Sequence, residues 1–290
     1  MVSKQPFVAD GRASLSNLFE QYNKLLKEGW ERQTICTQGN DFPIYAYLAP
    51  QTRGTESKPS FWILSGIHGE EPAGPIALGR SVKDIVQLAE SGIPVVFVPM
   101  LNPIAYNADD RYFDANRGAG SSVTDAEYLL RTTGTSNMYA QKIIPYIVSL
   151  TKTYPPLLVM DHHEDEMEIN GNKIDSGCSY GYCYGAVEVL EPLCQKITSQ
   201  LIREGFPIQE EGETRFGEKI HNGFVTNSKD GSVDELLAHL GAKAVFVVET
   251  TRDDAKPIAL ENRVSAQQVI ISSYYSLWNS VVESFTALRH

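Results

Sequence analysis

An α/β fold built on a mixed, mainly parallel central sheet is the class this sequence predicts, on three observations. Four short apolar runs, at residues 61–64, 94–98, 157–160 and 244–248, are uninterrupted by polar residues, as strands covered on both faces are. Stretches long enough for helices separate them, and strands alternating with helices imply parallel crossovers. Every run except the second leads straight into a potential metal ligand or carboxylate. Open α/β sheets collect ligands beyond the carboxyl ends of their strands.

In chain order, a first helix is expected over residues 17–27, after a Ser-rich start. The first strand, 61–64, leads to a helix over 72–89, where apolar residues recur at helical spacing before Gly92. The second strand is 94–98. A helix over 124–150 follows an N-cap at Ser122 or Thr124. The third strand, 157–160, precedes a helix over 186–204, and the fourth, 244–248, precedes a closing helix over 265–288.

At 290 residues, with 42% hydrophobic and 21% charged residues, the chain can bury a sizeable core without covalent staples. A disordered chain, a collagen-like repeat and a coiled coil are excluded. With 25 basic against 36 acidic residues the net charge is −11, which repels phosphate backbones, so no nucleic-acid partner is expected. No apolar run approaches the roughly 18 residues of a membrane helix. The N-terminal residues 1–10 lack the apolar core of a signal peptide, so the expected location is cytoplasmic, with no membrane partner. There is no internal repeat or linker, and one domain over residues 1–290 is expected. Oligomeric state is left open.

The cysteines are Cys36, Cys178, Cys183 and Cys194. Cys178 and Cys183 are spaced as no common zinc knuckle is, and a chain of this size needs no disulfides. Packing or free thiols are expected.

After the first strand comes Ser65-Gly66-Ile67-His68-Gly69-Glu70-Glu71. His68 and Glu71, three apart at a helix start, can turn to one side and offer an imidazole nitrogen and a carboxylate oxygen, both donors to zinc. Taken alone, the pair also fits a surface histidine. The third strand ends in Asp161-His162-His163-Glu164-Asp165-Glu166. A histidine here could complete a three-ligand site, with Asp161 orienting an imidazole through its second nitrogen. Alternation along a strand points His162 and His163 to opposite faces. The last strand ends at Glu249, and a carboxylate there is costly without a purpose or partner. It suits a general base acting on water beside a metal. Asn102-Pro103 through Arg111 to Asp114-Ala115-Asn116-Arg117 concentrates two arginines and three asparagines, and arginine forks bind carboxylates or polarise carbonyls.

In this order, His68-x-x-Glu71, Asn102-Pro103, Arg111, Asp114-Ala115-Asn116-Arg117, His163 and Glu249, the set resembles the M14 family of zinc carboxypeptidases, from about residue 30 onward. The resemblance implies a three-layer α/β/α sandwich and one zinc per chain held by His68, Glu71 and His163, with His162 the fallback third ligand. It implies that Glu249 is the general base and that Arg111 stabilises the oxyanion. Asn116 and Arg117 would grip the terminal carboxylate of a peptide. Two departures stand out. The family's Asp-Leu-Asn-Arg reads Asp-Ala-Asn-Arg here, and Thr226 stands where a mobile substrate tyrosine is expected, with Tyr180, Tyr182 or Tyr184 as substitutes. Val233, in Asp230-Gly231-Ser232-Val233-Asp234, would lie near the floor of the specificity pocket and favour apolar or small side chains. The relatives aspartoacylase and succinylglutamate desuccinylase share the zinc triad, so an N-acyl amino acid is the alternative substrate, and a cell-wall peptide amide another. Those relatives usually carry an extra β-rich domain, whereas about 40 residues follow Glu249 and read as helix.

Overall fold

The computed structural model describes residues 7–54, 58–113, 124–129, 138–165, 168–169, 172–173, 179–214, 216–251 and 259–287. The strands in chain order are β1 (Glu31–Gln38), β2 (Phe42–Leu48), β3 (Ser60–Ser65), β4 (Val95–Val98), β5 (Pro156–Asp165), β6 (Glu168–Ile169), β7 (Asn172–Lys173), β8 (Ser179–Gly185), β9 (Gly212–Glu213), β10 (Lys219–Ile220), β11 (Phe224–Thr226) and β12 (Ala244–Thr251). Eight of them form one sheet in the order β1-β2-β4-β3-β5-β12-β8-β11, while β6 with β7 and β9 with β10 form small ribbons. The centre, β4-β3-β5-β12, is parallel, and β11 runs parallel to β8. Antiparallel pairs join β1 to β2, β2 to β4 and β12 to β8.

The helices are α1 (Leu15–Tyr22), α2 (Ala73–Arg80), α3 (Val82–Glu90), α4 (Pro103–Ala108), α5 (Asp125–Leu129), α6 (Ile144–Thr153), α7 (Val187–Arg203), α8 (Val233–His239), α9 (Leu260–Ser272) and α10 (Tyr274–Ala287). Residues of α1, α2, α3, α7, α9 and α10 share one apolar cluster with Phe61, Ile63, Met160, Phe246 and Val248. Residues of α5, α6 and α8 share the other with Trp62, Leu64, Val159, Val245 and Val247. The alternation of strand residues between the two clusters makes the molecule a three-layer α/β/α sandwich. Among the described residues no helix is long and apolar enough to cross a membrane.

All four apolar runs are strands, but several helices differ from expectation. The 72–89 stretch is two helices, because Ser81 leaves helical geometry at φ −99°, ψ 20°. The 265–288 stretch begins earlier and is also two. At that junction the Ser272 and Ser273 hydroxyls donate to the carbonyls of Val269 and Ile270, a local bond that competes with the helix. Within 124–150 the described residues hold α5, a π-helical turn at Tyr139–Ile143 and the start of α6. Sequence reading passed over β1, β2, β8 and β11: β1 is largely exposed or half-buried, and β8 reads Ser-Tyr-Gly-Tyr-Cys-Tyr-Gly, with no apolar run.

Candidate metal centre

The parallel pairing of β5 with β12 sets Glu249 opposite His163 and Val248 opposite His162. His163 and Glu249 therefore share one face, and His162 takes the other. There, beneath α9 and α10, His162 Nδ1 lies 2.8 Å from Gln267 Oε1 and Nε2 hydrogen-bonds the Tyr274 hydroxyl. Burial pushes the His162 imidazole down to about 4, so it is a neutral packing group.

On the face of Glu249, the strand β3 ends and the chain turns through His68 to Glu71 before α2 begins. His68 Nδ1 stands 2.7 Å from Glu71 Oε1, His163 Nδ1 stands 2.9 Å from Glu71 Oε2, and the two Nδ1 atoms are 3.2 Å apart. One ligand atom from each of the three buried residues lies within 4.8 Å of the others. Two imidazole nitrogens facing each other across a carboxylate form a donor set suited to a metal ion. Burial favours the neutral form of Glu71, but the charges and hydrogen bonds of His68 and His163 outweigh it and hold the carboxyl well below its usual range. Burial likewise disfavours charge on His163, and Asp161 and Glu71 overcome it, raising that imidazole well above its ordinary value.

Acidic or hydroxyl groups also stand beside the outer nitrogens of both histidines. His163 Nε2 lies 3.4 Å from Asp161 Oδ2, and Asp161, His163 and Asp234 form a second buried group within 4.8 Å. His68 Nε2 lies 2.7 Å from the Tyr112 hydroxyl and 3.5 Å from Asp125 Oδ1, and Tyr112 in turn hydrogen-bonds Asp125. Such outer partners set ring orientation and tautomer. Tyr112 stacks on Tyr128 with ring centroids 4.3 Å apart. Backbone anchors complete the frame: Glu164 N donates to Glu71 Oε2 at 3.1 Å, Ala73 N donates to Glu164 Oε2 at 2.7 Å, and Arg263 pairs with Glu164. Gln267 donates to the His163 carbonyl at 2.9 Å.

Glu249 is buried, and among the described residues its Oε2 has no hydrogen-bond partner. Burial, with further push from Glu71 and Asp165, raises its carboxyl well above the usual range against the pull of His163 and Arg111. Arg111 has a side chain one-third exposed (33%), 3.1 Å from Glu71, 3.3 Å from Glu70 and 3.3 Å from Asp125. The register of β12 with β8 places Tyr180 opposite Glu249, and the Tyr180 hydroxyl donates to Asp165 at 2.6 Å and lies 3.5 Å from that of Tyr182.

Two sequence-named substrate residues do not join this group. Thr226 pairs with Cys183 in register, and its Oγ1 lies 3.6 Å from Cys183 Sγ. Alternation therefore puts it on the face opposite Glu249, Tyr180 and Tyr182. Val233 is 1% exposed within the apolar cluster beneath the site's face of the sheet. Asn116 and Arg117 lie outside the described residues, as does Cys178. Cys183 and Cys194 are free thiols with sulfurs 3.8 Å apart. Sequence reading missed Tyr112, Asp125, Arg263 and Gln267, which no local motif marks. Asp234 follows Val233 in sequence and joins Asp161 and His163.

No protein-family model and no curated protein matches the chain. Solved structures do. A candidate metallopeptidase from Shewanella baltica aligns with a TM-score of 0.66 at 18% identity, covering 91% of this chain and 92% of its own. A metallo-carboxypeptidase from Pseudomonas aeruginosa, solved with (2-guanidinoethylmercapto)succinic acid, aligns at 0.62 and 14% identity, over 93% of this chain and 70% of its own. Bovine thrombin-activatable fibrinolysis inhibitor, solved with tick carboxypeptidase inhibitor, aligns at 0.60 and 12% identity, over 95% and 99%. The eight-stranded mixed sheet, the layering and these alignments agree: the chain has the metallo-carboxypeptidase fold.

Proposed function

We propose that the chain, acting as one catalytic domain over residues 1–290, is a zinc-dependent metallocarboxypeptidase that hydrolyses the C-terminal amide bond of peptides. The observation that carries this reading is the convergence of His68, Glu71 and His163, with Glu249 one strand away at the register of His163. One zinc bound by these three ligands supplies Lewis acidity and lowers the pKa of water toward about 7. Glu249 is the proton carrier: its unpartnered Oε2 receives a proton from the attacking water and returns it to the leaving amine. Arg111, a cation beside Glu71 with a partly exposed side chain, stabilises the oxygen of the scissile carbonyl as charge develops on it. Asn116 and Arg117 hold the terminal carboxylate. The preference for apolar or small terminal side chains rests on the resemblance at Val233, which is buried in the cluster on the site's side of the sheet.

The test uses zinc-loaded protein and matched peptides with free or amidated C-termini, followed by mass spectrometry. Loss of the last residue from free-acid peptides only is the expected result. No cleavage of either set, with turnover of N-acyl amino acids or wall-derived amides, would overturn the carboxypeptidase reading while retaining the metal chemistry.

A further inference from the structure

We infer that Arg12 is a positioning residue for the candidate metal centre, its guanidinium clamping the Gly69 carbonyl and so fixing the spacing of His68 and Glu71. This rests on the reading of those two residues as metal ligands. Arg12 lies ahead of α1, 57 positions before Gly69, and is 5% exposed. Its five N–H donors all find acceptors. Nε donates to Asp10 at 2.9 Å, one terminal nitrogen donates to the carbonyls of Gly69 and Tyr106 at 2.8 Å each, and the other donates to Asp10 at 2.6 Å and to Asp109. The rings of Phe7 and Tyr106 flank the cation at 4.8 Å and 5.0 Å.

Burying a guanidinium is costly unless it is paired, and Asp10 and Asp109 alone could pair it nearer the surface. Depth is needed to reach the two carbonyls. One belongs to α4, and the other lies between the two proposed ligands. Gly69 is also gripped from its far side, where its N–H donates to the carbonyls of Asp110 and Arg111 at 3.1 Å and 3.3 Å. It sits so close to α4 that a Cβ would fall 2.0 Å from the carbonyl carbon of Ala105. The peptide between His68 and Glu71 is thus held against α4 by its amide and by Arg12 at its carbonyl. Without the guanidinium that carbonyl loses its donor, and the Gly69–Glu70 peptide, which leads to Glu71, is held less firmly. Residues 7–13 reinforce the clamp: Phe7 N donates to the Asn107 carbonyl at 3.0 Å, and the Tyr106 hydroxyl donates to the Ala13 carbonyl at 2.8 Å.

The test measures zinc dissociation constants of the full-length protein by competition with a chromophoric chelator, alongside apo-protein melting temperature. The variants are Arg12→Ala, Arg12→Lys and Leu25→Ala. Arg12→Lys retains the cation between Asp10 and Asp109, so it keeps the protein folded, but three donors on one nitrogen cannot span both carbonyls and both carboxylates. Leu25, in the apolar cluster on the other side of the sheet, supplies a destabilised control. The expected result is zinc binding weakened roughly 10- to 100-fold in both Arg12 variants, the range for lost outer-shell partners, with Leu25→Ala unchanged in affinity despite a lower melting temperature. A folded Arg12→Lys with wild-type affinity would overturn the inference, as would an equal loss in Leu25→Ala. Should Arg12→Ala fail to fold, Arg12→Lys decides. A wild-type protein that binds no zinc would sink the metal reading itself, and that is seen before any variant is compared.

Discussion

His163 and Glu249 stand opposite one another on neighbouring parallel strands, so their nearness is a property of backbone register and not of loop conformation. A proposed ligand and the proposed proton carrier are thereby held at a fixed separation on one face, before any ion or substrate arrives.

Glu249→Gln removes the proton carrier and leaves the three proposed ligands in place. The variant should bind zinc stoichiometrically and lose at least about a hundredfold in turnover. Near-normal kcat would take Glu249 out of the mechanism.

The two adjacent histidines should separate cleanly. His163→Ala should bind zinc poorly. His162→Ala should retain zinc but lose roughly 1–3 kcal/mol of stability, because its buried partners Gln267 and Tyr274 are left without it. The opposite pattern, scored by metal content and chemical denaturation, would reverse the assignment.

Arg263 pairs with the fully buried Glu164. Replacing it by Met should cost about 3–5 kcal/mol, since an uncompensated carboxylate remains inside. The double variant with Glu164→Gln should recover part of that loss in urea unfolding. A mild effect of Arg263→Met alone would show that the pair contributes little.

A pH effect follows from Asp10. Burial would raise its carboxyl, but the hydrogen bonds and charge of Arg12 outweigh this and the folded pKa is lowered. A depressed folded pKa means that the unfolded chain takes up the proton first. The stabilisation is therefore present above the ordinary carboxylate value near 3.8 and is lost as pH falls through the lower folded value. Melting curves below about pH 4 should fall more steeply with acid for wild type than for Asp10→Asn, and parallel curves would contradict this.

Strands buried on both faces announce themselves as apolar runs, which is why β3, β4, β5 and β12 were legible. The proposed ligands were legible because they follow those runs immediately. Alternation separated His162 from His163 but could not say which faced the site until the partner strand and its register were known. Tyr112, Asp125 and Arg12 were invisible for another reason: each meets the site through tertiary approach of a distant segment, and none carries a local pattern. The face that Thr226 presents was not legible either, because its strand is three residues long, too short to show alternation.

The strand β12 is paired along both edges, to β5 and to β8. Exposing the Glu249 amide would require unzipping two ladders, an opening close in cost to losing the whole fold, so its hydrogen exchange should be among the slowest in the chain. The proposed proton carrier is thus lodged in a strand paired on both sides. Insertions and substitutions in the connections beyond the strand ends can alter what is recognised while the proposed reacting group stays where the sheet holds it.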